Sequence, residues 1–253
     1  MPDDARLHTP RARWIALVVV CLGQLMSIVD GTIVNVALPQ IQRELHFTQS
    51  NLTWVLNGYL ITFGSFLLLA GRLGDLIGRR RIFLIGVTGF TLASAACGLA
   101  NSQGVLIAAR FLQGLAGAGA VSAIVAIITA EFPSPRERAK AMSIYTLVIS
   151  GGASLGLIAG GVITEALNWH WIFFINVPVG IVTVILGRRW IVENQGLGIG
   201  RDIDILGSVL ITASLIVGAY AIVTASSHGW GSAHTLGFAA ASLALLGDRK
   251  SVV

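Results

Sequence analysis

Seven apolar stretches, each long enough to cross a lipid bilayer, constrain this chain more than any other feature. A membrane-spanning helix needs roughly 20 consecutive apolar residues. Such runs lie at about 14–36, 52–70, 82–100, 104–130, 140–164, 172–190 and 204–225, and an eighth begins near 234. Lipid offers the backbone no hydrogen-bond partner, so each run is expected to be a helix. A transmembrane β-barrel would instead show strands of about ten residues with alternating polarity. The expected fold class is therefore all-α and polytopic. Composition agrees: 55% of the 253 residues are hydrophobic and 11% charged, against about a quarter charged in soluble domains. The 30 glycines follow no strict period and sit inside apolar runs, which suits close helix packing.

The 17 Lys and Arg residues set the orientation. Arg6, Arg11 and Arg13 precede the first span, and Arg72, Arg79, Arg80 and Arg81 lie between the second and third. Arg136, Arg138 and Lys140 separate the fourth and fifth, and Arg188, Arg189 and Arg201 follow the sixth. The alternate loops carry only Arg43. This bias places the N-terminus and the basic loops in the cytoplasm. The net charge of +5 is then mostly a topology signal. The expected partner is the lipid bilayer, not nucleic acid.

The first span is too long for a cleavable signal peptide, no small-residue cleavage site follows it, and more spans come after it. Cys21 and Cys97 fall within apolar runs and read as small buried residues rather than a disulfide. His8, His46, His228 and His234 read as loop or helix-end residues. His170, in Asn168-Trp169-His170-Trp171, reads as part of an interfacial aromatic belt. No metal-ligand spacing, nucleophile elbow or phosphate loop occurs, so neither an enzyme nor a metal or other cofactor is expected.

Two charges inside apolar runs stand out, because each costs several kcal/mol unless paired or hydrated. Asp30 lies in the first run and Arg110 in the fourth. At about 1.5 Å of rise per residue, Asp30 stands roughly 24 Å from the inner end at Trp14, and Arg110 roughly 9 Å from the outer end at Gly104. In a core about 30 Å thick, both fall in the outer half at similar heights. They can form a structural ion pair, or exchange a proton as the pair opens. Alternatively, Asp30 simply reaches the outer interface.

A second feature is Gly71-Arg72-Leu73-Gly74-Asp75-Leu76-Ile77-Gly78-Arg79-Arg80-Arg81. Its glycines allow a tight cytoplasmic reversal. Asp75 can accept backbone N–H bonds at a helix start, or meet a basic partner on a neighbouring helix. A plain positive-inside hairpin needs only the arginines, whereas the full spacing G-x-L-G-D-x-x-G-R-R is far more specific. It resembles the signature between helices two and three of the major facilitator superfamily. Leu106 to Ala120, with Arg110, Gln113, Gly114 and Gly117, resembles that superfamily's R-x-x-Q-G-x-g motif in helix four. Asp30 to Pro39 is similar to the first-helix motif of its fourteen-helix drug:proton antiporters, the EmrB/QacA type. Trp169 to Gly180 matches that branch ahead of and within helix six. Asp204-Ile205-Leu206-Gly207 looks like the start of the first of its two extra helices. The resemblance covers nearly all of residues 12–247. In helix five the branch normally has Gly-Pro before a Gly-Gly pair; here Leu157 holds the proline position, in Gly151 to Gly161. Gly152, Gly156 and Gly160 recur every four residues beside Gly161, so a packing stripe survives while the proline kink is lost. Export is usually inferred from that motif, so the departure leaves direction open, and the stripe can serve packing alone or antiport.

The resemblance implies export of amphipathic drugs or antibiotics by antiport with protons, in a bacterial inner membrane. The first six helices form one half of a rocking transporter, with the substrate cavity between two halves. Asp30 loads and releases the proton, and Arg110 tunes it or relays it. Gly71, Arg72, Gly74, Asp75, Gly78, Arg79 and Arg80 form a cytoplasmic latch. The expected organisation is a cytoplasmic tail over 1–13, a six-helix bundle over 14–190, a linker with one complete and one truncated extra helix over 191–247, and a non-native tail over 248–253. That tail fits the codons GAT CGG AAG AGC GTC GTG, which resemble a sequencing adapter; an authentic basic C-terminus is the alternative. Fourteen helices need about twice this length, at about 30 residues per span and loop, so the C-terminal half of the same transporter is an expected missing partner and the chain alone is expected to be inactive. Two other readings are a metabolite facilitator and a non-transporting half-protein that binds a membrane partner.

Overall fold

The computed structural model describes residues 9–193, 196–198 and 205–248. Arg6, His8, Arg201, Asp204, Arg249 and Lys250 lie outside the described residues, as does the rest of the tail beyond Asp248. The described residues form helices and no strand. In chain order they are α1 (Pro10–Glu44), α2 (Gln49–Ile77), α3 (Arg79–Gly98), α4 (Gln103–Glu131) and α5 (Pro135–Ala166). Next come α6 (Trp171–Trp190), α7 (Ile205–His228) and α8 (Ala233–Asp248). Seven are long and apolar enough to cross a membrane, while α8 offers only the shorter apolar stretch Ala233–Gly247. The fold class is thus the all-α polytopic one that the apolar runs predict.

Local chemistry explains where the helices begin and end. Thr9 accepts from Ala12 N–H (3.3 Å), and Thr48 from Asn51 N–H (3.2 Å), which satisfies orphan donors in each first turn. Pro10 and Pro135 occupy first-turn positions, where the missing N–H costs nothing. With 35 residues, α1 extends well past its apolar run. The fall of the chain across Gly71–Arg81 differs from expectation. Helix α2 continues through Gly71, Arg72, Gly74 and Asp75 to Ile77, and Gly78 N–H still bonds Gly74 O (3.0 Å). A helical glycine costs only about 1 kcal/mol, less than stranding a turn of backbone groups. The reversal occurs at Gly78 alone, with φ of 110°, a conformation that favours glycine. Asp75 therefore sits in the last turn of a helix and not at a start. A second unforeseen feature is a break at Ile175, which divides α6 into Trp171–Phe174 and Asn176–Trp190.

Helix α4 packs between α2 and α3, and α1 packs on α5 and α6 and touches α4. Helix α7 lies on α2, and α8 on α7. Close crossings rest on glycine: a Cβ at Gly86 of α3 would lie 2.2 Å from Ala120 N of α4, and one at Gly114 of α4 would lie 2.2 Å from Thr62 Oγ1 of α2. Two separate apolar clusters result. One gathers Leu17, Phe83, Phe90, Ile124 and Phe132 at the end of the bundle that carries most of the arginines, the basic end. The other gathers Ile33, Ile41, Leu52, Leu106, Trp169 and Phe173. Between the two clusters α1, α3 and α4 bury polar side chains, among them Asp30, Ser94, Arg110 and Gln113, and these build the site.

Candidate functional site

Asp30 and Arg110 meet. Arg110 donates through Nη1 to Asp30 Oδ2 (2.5 Å), with both side chains essentially inaccessible at 0% and 1% exposure. Gln113, one helical turn along α4 from Arg110, closes a triangle. It accepts from Arg110 Nη1 at Oε1 (2.7 Å) and donates through Nε2 to Asp30 Oδ1 (2.8 Å). The i, i+3 spacing puts Arg110 and Gln113 on one face of α4, which is why both reach the same carboxylate. Arg110 Nε donates to Val55 O on α2 (2.9 Å), and the guanidinium lies over the Tyr59 ring, 4.4 Å from its centroid. Each strong group in this buried layer has a partner, which such a layer needs to be tolerated at all.

Two further residues complete the layer. Asn176 Nδ2 donates to Asp30 Oδ1 (3.4 Å) and to Ser94 Oγ (3.1 Å), and Ser94 Oγ donates to Phe173 O (2.9 Å). The break in α6 at Ile175 leaves Asn176 at the start of the second segment, aimed inward. Phe173 O, at the end of the first segment, accepts from α3. Asp30 thus collects donors from α4 and α6, so three helices converge on one carboxylate. Asn176 falls within the stretch Trp169 to Gly180, and its sequence signal is an amide two residues before Pro178 in an apolar run, which by itself assigns it no role. Ser94 carried no signal, since small hydroxyls are common in membrane helices.

The glycine-rich segment lies apart from this layer, at the basic end. Asp75 pairs with Arg79, the first residue of α3 (3.1 Å), and Arg79 Nη1 donates to Ala126 O of α4 (3.4 Å). Arg80 and Arg81 reach Glu193 (3.3 and 2.8 Å), a residue beyond α6 that the sequence had not singled out. Arg72 is exposed on α2. Gly114 and Gly117 both serve packing, with Gly117 against Phe63 and Phe90. On α5, Gly152, Gly156 and Gly160 press against α1, whereas a Cβ at Gly161 meets nothing within 4 Å. Gly161 is therefore outside the seam; it lies 100° around the helix from Gly160. Leu157 also points away from it, at 51% exposure. Trp169 is fully buried, bonded through Nε1 to Glu44 (2.8 Å) and stacked on His170, so it belongs to the core and not to an exposed belt.

The chain is 42% identical over 219 residues to puromycin resistance protein pur8 of Streptomyces alboniger, covering 87% of this chain and 43% of that protein. It is 37% identical over 241 residues to the tetracenomycin C resistance and export protein of Streptomyces glaucescens, covering 93% and 45%. The chain thus spans about half the length of the curated relatives it matches. Among solved structures, the fold matches the POT family transporter PepTSo with a TM-score of 0.66 at 16% identity, over 95% of this chain and 54% of that one. The human organic anion transporter MFSD10 matches with a TM-score of 0.63 at 18% identity, over 86% and 56%. The profile of the Major Facilitator Superfamily matches residues 20–247, and the chain belongs to that superfamily.

Proposed function

We propose that this chain is the first half of a proton-coupled exporter of amphipathic drugs or antibiotics. The observation that carries it is the Asp30–Arg110–Gln113 layer, a fully buried carboxylate held by a cation and two amides between two apolar clusters. Protonating Asp30 cancels its charge and removes its attraction for Arg110. An uncompensated buried cation is costly, so proton uptake is coupled to rearrangement of α1, α4 and α6. That coupling is what an antiporter needs. Relatives named for puromycin resistance and tetracenomycin C export support an outward direction and an antibiotic substrate, although Leu157 replaces the proline expected in α5. The fourteen-helix drug:proton antiporter branch is favoured by the stretches Asp30 to Pro39 and Trp169 to Gly180, which resemble that branch's motifs.

In this reading the basic end faces the cytoplasm of a bacterial cell, as the positive-inside bias supports. A second six-helix half supplies the other wall of the substrate cavity, consistent with relatives about twice as long. The segment from Gly71 to Arg80 latches the cytoplasmic side. Asp30→Asn in the complete transporter tests the proposal. Drug efflux driven by a pH gradient should fall at least about tenfold with the protein still in the membrane, as for an essential proton carrier. Efflux of ordinary rate and pH dependence would sink the idea. Growth on a nutrient, without drug resistance, would instead indicate a metabolite facilitator.

A further inference from the structure

The described residues that follow α6 hold three other helices together at the basic end. Ile191 is buried at 1% exposure. Val192 N–H donates to Glu131 Oε1 at the end of α4 (3.2 Å), and the Glu193 carboxylate meets Arg80 and Arg81 in the first turn of α3. Further on, Leu197 N–H donates to Asp75 O (2.9 Å) and Gly198 N–H to Leu76 O (3.1 Å). Both carbonyls belong to the last turn of α2, where a helix cannot satisfy its own acceptors. The approach depends on glycine: a Cβ at Gly196 would lie 2.1 Å from Leu76 O, and Gly198 has φ of +82°. Helix α7 then packs along α2 and stacks Tyr220 on Trp54, with ring centroids 6.0 Å apart. Trp54 lies near the opposite end of α2. The segment after α6 therefore grips α2 at both ends.

We propose that Glu193 and the stretch Gly196–Gly198 are positioning residues, forming a strap that fixes the Asp75 turn of α2 against α3. The strap makes the α7–α8 hairpin travel with α1–α6 as one body. This deepens the transporter reading and rests on it for its consequence. When two halves rock against each other, the Asp75 turn meets the opposing half in a fixed register only while the strap is docked. Ordinary linkers between moving halves need no such bonds, because they carry few buried contacts.

Amide hydrogen exchange on the chain in lipid nanodiscs tests the strap without substrate or proton gradient, so its outcome is independent of whether the transport reading survives. The Leu197 and Gly198 amides should exchange about tenfold faster in Gly196→Val, the effect of losing roughly one net hydrogen bond. Glu193→Gln should accelerate them about threefold, as for a partly exposed ion pair, and Glu193→Asp should restore slow exchange. If Gly196→Val does not fold, the two Glu193 variants carry the test. Equal exchange in wild type and Glu193→Gln, or fast exchange in wild type, overturns the strap. For positioning, maximal efflux by the complete transporter should fall several-fold in Glu193→Gln with KM unchanged, and recover in Glu193→Asp; an unchanged rate overturns that role.

Discussion

Gly156 on α5 faces Thr32 on α1 with no room between them for a side chain: a Cβ at Gly156 would lie 1.9 Å from Thr32 Oγ1 and 3.1 Å from Val29 O. Thr32 cannot easily turn aside, since its hydroxyl donates back to Ile28 O (3.0 Å) and Val29 O (3.1 Å). Gly152 and Gly160 extend the same seam, against Leu25 and Ile28 on one side and Ile33 and Val36 on the other. Helix α5 is thus fastened to α1, the helix that carries Asp30, by contact of backbone with side chain.

A side chain at the seam should therefore be expelled at a cost. Gly156→Val is expected to destabilise the chain by about 1–3 kcal/mol, the usual range for overpacking. Gly161→Val, at an open position, should change stability by less than about 0.5 kcal/mol. Thermal unfolding of both variants in one detergent makes the comparison. Equal losses would mean that α5 is not held by the glycine stripe.

The polar layer makes a sharper prediction, because breaking a buried pair costs more than neutralising it. Arg110→Ala leaves Asp30 buried with amides alone and is expected to cost about 3–5 kcal/mol. Combining Arg110→Gln with Asp30→Asn removes both charges, and should cost clearly less than the two single changes added together. A double-mutant cycle read by denaturation reports the difference. Additive losses would show that the two charges are not coupled.

How much of this was legible depends on whether the signal was local. The helices were legible, because an apolar run of membrane-spanning length leaves the backbone one solution. Asp30 and Arg110 were legible as charges in apolar runs, and their similar heights followed from helical rise alone. Gln113 came from motif spacing. Ser94 and Glu193 were not recoverable as site residues, and Asn176 was legible only as an amide in an apolar run, since each acts across more than 80 residues of sequence through a partner set by packing. The α2–α3 reversal has no single position in the sequence, because Gly71, Gly74 and Gly78 look alike there. Only packing decides that Gly71 and Gly74 stay helical while Gly78 turns.

The three amide and hydroxyl contacts should differ in weight. Gln113→Ala removes a donor to Asp30 and an acceptor from Arg110, both buried, and is expected to cost about 2–3 kcal/mol. Asn176→Ala leaves Asp30 Oδ1 with its shorter bond from Gln113, and leaves Ser94 bonded to Phe173 O. Its cost should be about 1 kcal/mol. Chemical denaturation of the two variants checks the order, and a larger loss at Asn176 would assign α6 the principal hold on Asp30.

The reversal between α2 and α3 separates the three glycines by experiment. At Gly78 the φ of 110° is one that L side chains rarely adopt, so Gly78→Ala is expected to cost about 1–3 kcal/mol in backbone strain. Gly71 and Gly74 are helical, and a Cβ at either meets its nearest neighbour at 3.9 Å, ordinary contact. Alanine there restricts the unfolded chain without a clash and should stabilise by about 0.4–1 kcal/mol. Thermal unfolding of the three single variants should therefore move in opposite directions, down for Gly78 and up for Gly71 and Gly74. If Gly71→Ala and Gly74→Ala also destabilise, the end of α2 is not helical as described. If they stabilise yet lower efflux by the complete transporter, flexibility at these two positions is itself part of the latch.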